Sequence, residues 1–197
     1  MRDTPLKRPT RGRVGDNDEV PRYVAFLRAV NVGKRKYPMA ELRAVLEAAG
    51  HQDVETHIQT GNVVLTTPTR SRVKVEEELE TLFEKDRGFE VRTVVLTPKE
   101  LAQVAADADE IAAEHPAGHG HYVSLLKDVP TAAGIRKIEG HGHRDEAVVV
   151  RGRAVHLLYD KPYHEAKVSN VQVEKALGVA TNRNVKVIRA LAQKWHA

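Results

Sequence analysis

The chain has 197 residues, no cysteine and a net charge of +4, so disulfides, thiolate nucleophiles, cysteine zinc sites and cysteine-held iron–sulfur clusters are excluded together. Hydrophobic residues make up 41% and charged residues 29%, the balance of a globular protein rather than a disordered one. No apolar run approaches the ~20 residues that span a bilayer, and the first twenty residues lack the apolar centre of a signal peptide. A cytoplasmic protein without membrane contact is expected.

Residues 1–20 place Pro5, Pro9, Gly12 and Gly15 among mixed charges with almost no apolar periodicity, which predicts a disordered extension. The strand formers Tyr23, Val24, Phe26, Leu27 and Val30 then predict a first strand ending near Arg28, followed by a polar loop. Pro38 suits a first helical position, and Met39, Leu42, Val45, Leu46 and Ala49 recur at helical spacing until Gly50. Val54–Ile58 and Val63–Thr67 predict a hairpin turning through Thr60 and Gly61. Val75, Leu79, Leu82 and Phe83 share one face of a second helix stopped by Gly88, and Val91–Leu96 is the next strand. Strand, helix, strand, strand, helix, strand is the ferredoxin-like βαββαβ order, assigned to a lobe over 21–97.

Thr97, Pro98 and Glu100 form a capping pattern that opens a helix to about Ala108. Beyond it, Tyr122–Leu126, Ala147–Val150 and Ala154–Leu158 read as strands, the last two joined through Gly152, with a short helix over Thr131–Ile138. Two helices, one around Val173–Leu177 and one around Val187–Trp195, close the chain. No internal repeat of fixed short period is visible. The fold class is therefore α/β (α+β), with a smaller second α/β lobe over 98–197. The segment 161–197 carries seven Lys or Arg against two Glu, which suits anionic partners or simply a solvated helical face.

Four phrases together resemble an uncharacterised bacterial family, number 1697 among the domains of unknown function. They are Tyr23–Gly33 (YVAFLRAVNVG), Pro38–Leu46 (PMAELRAVL), His57–Leu65 (HIQTGNVVL) and Thr181–Leu191 (TNRNVKVIRAL). The resemblance implies a ferredoxin-like first lobe and a second α/β lobe, and brings no activity, cofactor or catalytic residue. The chain departs from the family's usual pattern at Lys34 (glycine), Thr60 (serine) and Val185 (tryptophan), and keeps only part of the pattern over Tyr159–Asn170.

Several constellations carry chemistry. Arg28, Asn31, Gly33, Lys34, Arg35 and Lys36 precede a helix start, where backbone N–H groups and cations favour a phosphate or carboxylate; a solvated basic turn explains them equally. The GxxxxGK[ST] spacing is missing, which speaks against nucleoside triphosphate hydrolysis. Gln59 and Asn62 flank the hairpin glycine and either orient a ligand or serve the turn. The phrase Thr181–Asn184 either caps the last helix through Thr181, Asn182 or Asn184, or directs Asn182 and Arg183 from that helix start into the groove between the lobes.

His115, His119, His121, His141 and His143 lie among loop residues without an HExxH helix, so no metal is expected. The three serines, Ser71, Ser124 and Ser169, lie in no GxSxG turn. Aromatics are only 5% of the chain, and the strand after Gly61 offers no platform for stacking RNA bases.

The leading expectation is a non-enzymatic module that binds a small anion or phosphate-bearing ligand between two lobes, without a cofactor. Its candidate residues are Arg28, Asn31, Gly33, Lys34, Gln59, Asn62, Asn182 and Arg183. The first rival is a cofactor-independent enzyme for a phosphorylated or acyl-phosphate substrate, oriented by Arg28 and Asn62. The second is a weak nucleic-acid backbone binder using Arg183, Lys186, Arg189 and Lys194.

Overall fold

The computed structural model describes residues 20–116 and 118–196; of the extension expected over 1–20, all but Val20 lies outside the described residues. The first half runs β1 (Arg22–Leu27), α1 (Met39–Ala48), β2 (Gln52–His57), β3 (Asn62–Thr66), α2 (Arg72–Arg87) and β4 (Thr93–Leu96). Its antiparallel sheet has the order β2-β3-β1-β4, the split βαβ arrangement. A long helix, α3 (Pro98–Glu114), leads to β5 (Gly120–Leu126), α4 (Ala132–Glu139), β6 (Glu146–Arg151) and β7 (Ala154–Tyr159). After a short 3-10 turn come α5 (Asn170–Leu177), β8 (Ala180–Asn184) and α6 (Val185–Lys194).

The second sheet is also antiparallel, ordered β6-β7-β5-β8. Element for element it repeats the first, a duplication at the level of topology that no short sequence period betrays. The phrase Thr181–Asn184, expected to lead into the last helix, forms most of β8, paired with Tyr122–Leu125. Only Asn184 also caps α6, its Oδ1 accepting the Lys186 N–H at 2.9 Å.

Alternation along the strands sorts the core into three clusters. Tyr23, Ala25 and Leu27 of β1 face α1 and α2, where Leu42, Leu46, Leu79 and Phe83 are fully buried. Val24 and Phe26 face the other way, joining Leu101 and Val104 of α3, Val123 and Leu125 of β5, Ile188 and Leu191 of α6, and Trp195 just past its end. The second sheet's far side packs on α4 and α5 through Leu157, Tyr159 and Val173. Helices α3 and α6 thus form a middle layer shared by both sheets. That is why β1 reads as an almost unbroken apolar run: both of its faces are covered. Each buried large aliphatic or aromatic side chain contributes roughly 1.5–3 kcal/mol.

Local signals fix the helix ends. Ser71 caps α2, and Gly88 closes it in the left-handed region at φ 72°. The Thr97–Glu100 capping box opens α3, which continues to Glu114 rather than ending near Ala108. Polar ties cross between the halves. Arg153 donates to the Val95 carbonyl at 2.9 Å and pairs with Glu100 at 3.1 Å, and Lys127 pairs with Glu80 at 2.5 Å. Among the described residues, no helix is long and apolar enough to cross a membrane.

One polar pair sits inside the apolar frame. His121 on β5 and His156 on β7 lie with Nε2 and Nδ1 3.1 Å apart, and the outer nitrogen of each ring is buried without a hydrogen-bond partner. Burial pushes His121 down to about 4, with Arg189 adding to the effect and Asp109 opposing it. Burial, His121 and Arg151 push His156 down to about 3. Both rings are therefore neutral in the fold at pH 7, whereas in the unfolded chain they take up protons below about 6.5. Stability is undiminished above that pH, falls progressively from about 6.5 down to the folded values of about 4 and 3, and levels off below them. Urea unfolding is expected to lose on the order of a few kcal/mol of stability between pH 7 and pH 4, and His121→Leu/His156→Leu is expected to flatten that acid limb.

Candidate functional site

The halves meet at the C-terminal end of β1, where the loop 28–37, the β2–β3 hairpin, the start of α5 and strand β8 enclose a cleft of about 320 Å³. Its floor is organised by Arg183. Residue 183 is an inward position of β8, and the guanidinium lies 5.7 Å from the centre of the Phe26 ring. Its Nε donates to Asn62 Oδ1 at 2.6 Å, and its Nη1 to Thr181 Oγ1 and the Asn182 carbonyl, both at 2.8 Å. Its Nη2 serves the carbonyls of Leu27 and Thr60, both at 2.9 Å, and of Gly61 at 3.2 Å.

Every acceptor is a neutral oxygen, and among the described residues no carboxylate pairs with this arginine. Burial alone pulls the guanidinium down to about 10, so it remains a cation at neutral pH. A buried charge held by dipoles rather than by a counterion projects a positive field into the space beside it.

Arg28, at the end of β1, lines the same cleft and grips Glu174 of α5 with both prongs, Nε to Oε1 at 2.5 Å and Nη2 to Oε2 at 2.8 Å. The hydrogen bond to Glu174 outweighs burial and raises the Arg28 guanidinium further. Next to it, Ala29 is left-handed at φ 55°, as is Asn31 at φ 57°. A non-glycine residue in that region is held there against local preference by its surroundings. Asn31 supplies part of that restraint, donating to the carbonyls of Tyr37 and Gln59 and accepting the Tyr37 N–H at 2.9 Å.

Of the residues singled out in the sequence, Arg28, Asn182 and Arg183 line the cleft. Asn62 lies directly behind it, fully buried, with its nitrogen donating to the His57 carbonyl and Thr60 Oγ1. Asn31 and Gln59 join the loop to the hairpin without lining the opening. Gly33 and Lys34 sit at the exposed tip of the tight turn bridged by Val32 and Arg35, outside the cleft lining. Asn182 reaches Ser124 Oγ at 3.0 Å. Ser71 and Ser169 are helix caps, which gives all three serines a structural place.

Sequence reasoning misses Glu174 and Asn170 as cleft residues. Glu174 carries no local signal beyond the polar side of a helix. Asn170 follows the Ser169–Gln172 capping box, a pattern visible in the sequence. Its Nδ2 donates to the Ala180 carbonyl, and its Oδ1 is buried without a partner. Among the basic groups near the C-terminus, Arg189 pairs with Asp109 at 2.5 Å and Lys194 with Glu55 at 2.9 Å. Among the described residues, no three His, Asp or Glu side chains are grouped to hold a metal ion.

Two βαββαβ units joined through a shared helical layer, with a cationic floor at their junction, define a bilobal α+β protein. A structure titled as that of a conserved bacterial protein from Streptococcus pneumoniae has the same fold. It aligns with a TM-score of 0.73 at 22% identity, covering 90% of this chain and 99% of that one. The chain belongs to the family described as protein of unknown function (DUF1697), which matches residues 20–156. That match includes the first three phrases quoted above and stops before Thr181–Leu191. Among curated proteins, none matches.

The Arg183 network is expected to carry stability. Arg183→Met removes the donor to four backbone carbonyls, to the Asn62 oxygen and to Thr181 Oγ1, and should cost about 3 kcal/mol or more in urea unfolding. Gly61 stands at φ 74°, and a Cβ there would lie 2.6 Å from Val30 Cγ2 and 2.8 Å from Leu27 Cβ. Gly61→Ala should therefore cost roughly 2–4 kcal/mol in the same assay, through strain and displacement of packed neighbours.

Proposed function

We propose that this protein is a binding module that takes a small anion, phosphate or carboxylate, into the cleft between its two sheets. The observation that carries the reading is the pair of guanidiniums at one cleft: Arg183, buried among neutral oxygens, and Arg28, held in a bidentate pair by Glu174 of α5. Arg28 and Glu174 cancel in charge, so the cleft keeps the Arg183 cation. The bidentate grip on Glu174 is the geometry in which a guanidinium receives a ligand carboxylate or phosphate.

A ligand anion would exchange one bidentate pair on Arg28 for another of the same kind. The Arg28 and Glu174 side chains are 37% and 21% exposed, so water can take up the released carboxylate, and the exchange is close to even before the ligand's other contacts are counted. Arg183 acts through its field and not through direct contact, because its donors already serve protein oxygens.

The rival readings lose support from the same geometry. An acyl-phosphate hydrolase needs an amide that positions water, and Asn62 is buried with its carboxamide engaged on both sides. A nucleic-acid backbone binder needs an unpaired basic face. Arg189 and Lys194 are paired with acids and Arg183 is internal, which leaves Lys186.

Calorimetric titration with inorganic phosphate at low ionic strength tests the proposal. Glu174→Gln frees Arg28 and is expected to tighten binding about three- to tenfold. Arg28→Ala is expected to abolish it while leaving the melting temperature within a few degrees. Absence of binding by the Glu174→Gln protein would refute the anion seat, and a large fall in stability in Arg28→Ala would return Arg28 to a structural role.

A further inference from the structure

The cleft is larger and less polar than an inorganic anion requires. Its volume of about 320 Å³ is roughly ten times the ~30 Å³ share of a liquid water, and it falls at the lower end of the ~300–1,000 Å³ typical of sites for organic ligands. Val32, on the loop after β1, and Val171, on α5, both line it, yet they are 65% and 53% exposed. They contribute two of the most exposed large apolar side chains among the described residues, one from each half of the molecule. Ala29 and Val30 continue the apolar wall. Among the described residues, no aromatic ring lines the cleft.

We infer that the ligand is an aliphatic organic anion, with its charged head on Arg28 above the Arg183 cation and its hydrocarbon body covering Val32 and Val171. This rests on the anion seat proposed above and adds the chemical class of what the head is attached to. The lining gives a base no aromatic face to stack on and presents methyl groups instead, which favours an aliphatic body over a nucleobase. Binding removes Val32 and Val171 from water, which is favourable in proportion to the apolar area the ligand covers.

The test is a comparative titration of the full chain with inorganic phosphate, n-butyl phosphate and adenosine monophosphate. Each fully buried methylene is worth a factor of about four in affinity, so a half-buried butyl chain should make butyl phosphate about tenfold tighter than phosphate. Val171→Ser, an exposed position away from the core, should remove most of that gain while phosphate affinity stays unchanged. Equal affinity for phosphate and butyl phosphate would overturn the aliphatic class and leave the anion seat standing. Tighter binding of the nucleotide than of butyl phosphate would overturn it in favour of a base-reading site, and failure of every probe would remove the seat and the class together.

Discussion

One guanidinium holds the junction of this molecule together. Arg183 collects oxygens from the end of β1, from the β2–β3 hairpin and from its own strand. A planar fork with five donors suits that task in a way an ammonium does not. Removing such a cation from water is costly, and the cost is offset only because its donors meet well-placed oxygens. The neighbouring choices follow from it. Gly61 lets the hairpin press against Leu27 and Val30, Asn62 offers its oxygen inward, and Thr181 bridges Arg183 to the Leu27 carbonyl.

The cleft is a by-product of the same arrangement. Two sheets of identical strand order share one helical layer, and their edges meet where β1 and β8 end near the hairpin. The loop after β1 must turn away from that crowded point, which it does through left-handed Ala29 and Asn31. The turn leaves open space beside a buried charge. The ion pair between Arg28 and Glu174 spans that space and ties the loop to α5.

Much of the fold was legible because the first half obeys local rules. Pro38 and Gly50 bracket α1, Gly88 ends α2, and Thr97 with Glu100 opens α3, so each boundary had a chemical signature. The second half was harder to read. Strand β8 is a run of Ala, Thr, Asn, Arg and Asn whose inward side chains serve the Arg183 network rather than an apolar core, so its pattern imitates a loop. The topological duplication was invisible for a related reason: β1 is apolar on both faces, while β5 carries His121 and Ser124. At the site, Arg28, Asn182 and Arg183 could be picked out as charged or amide groups near turns. Glu174 could not, since its partner lies 146 positions away in the chain.

The handover from strand to helix occurs without slack in both halves. Leu96 ends β4 and Thr97 at once caps α3; Asn184 closes β8 and itself caps α6. Because α3 and α6 spring directly from these strands and pack against both sheets, the middle layer holds the sheets' separation as a beam holds two walls. A molecule arriving at the opening meets a vestibule already in shape. For the ligand proposed above, little affinity would be spent on drawing the halves together.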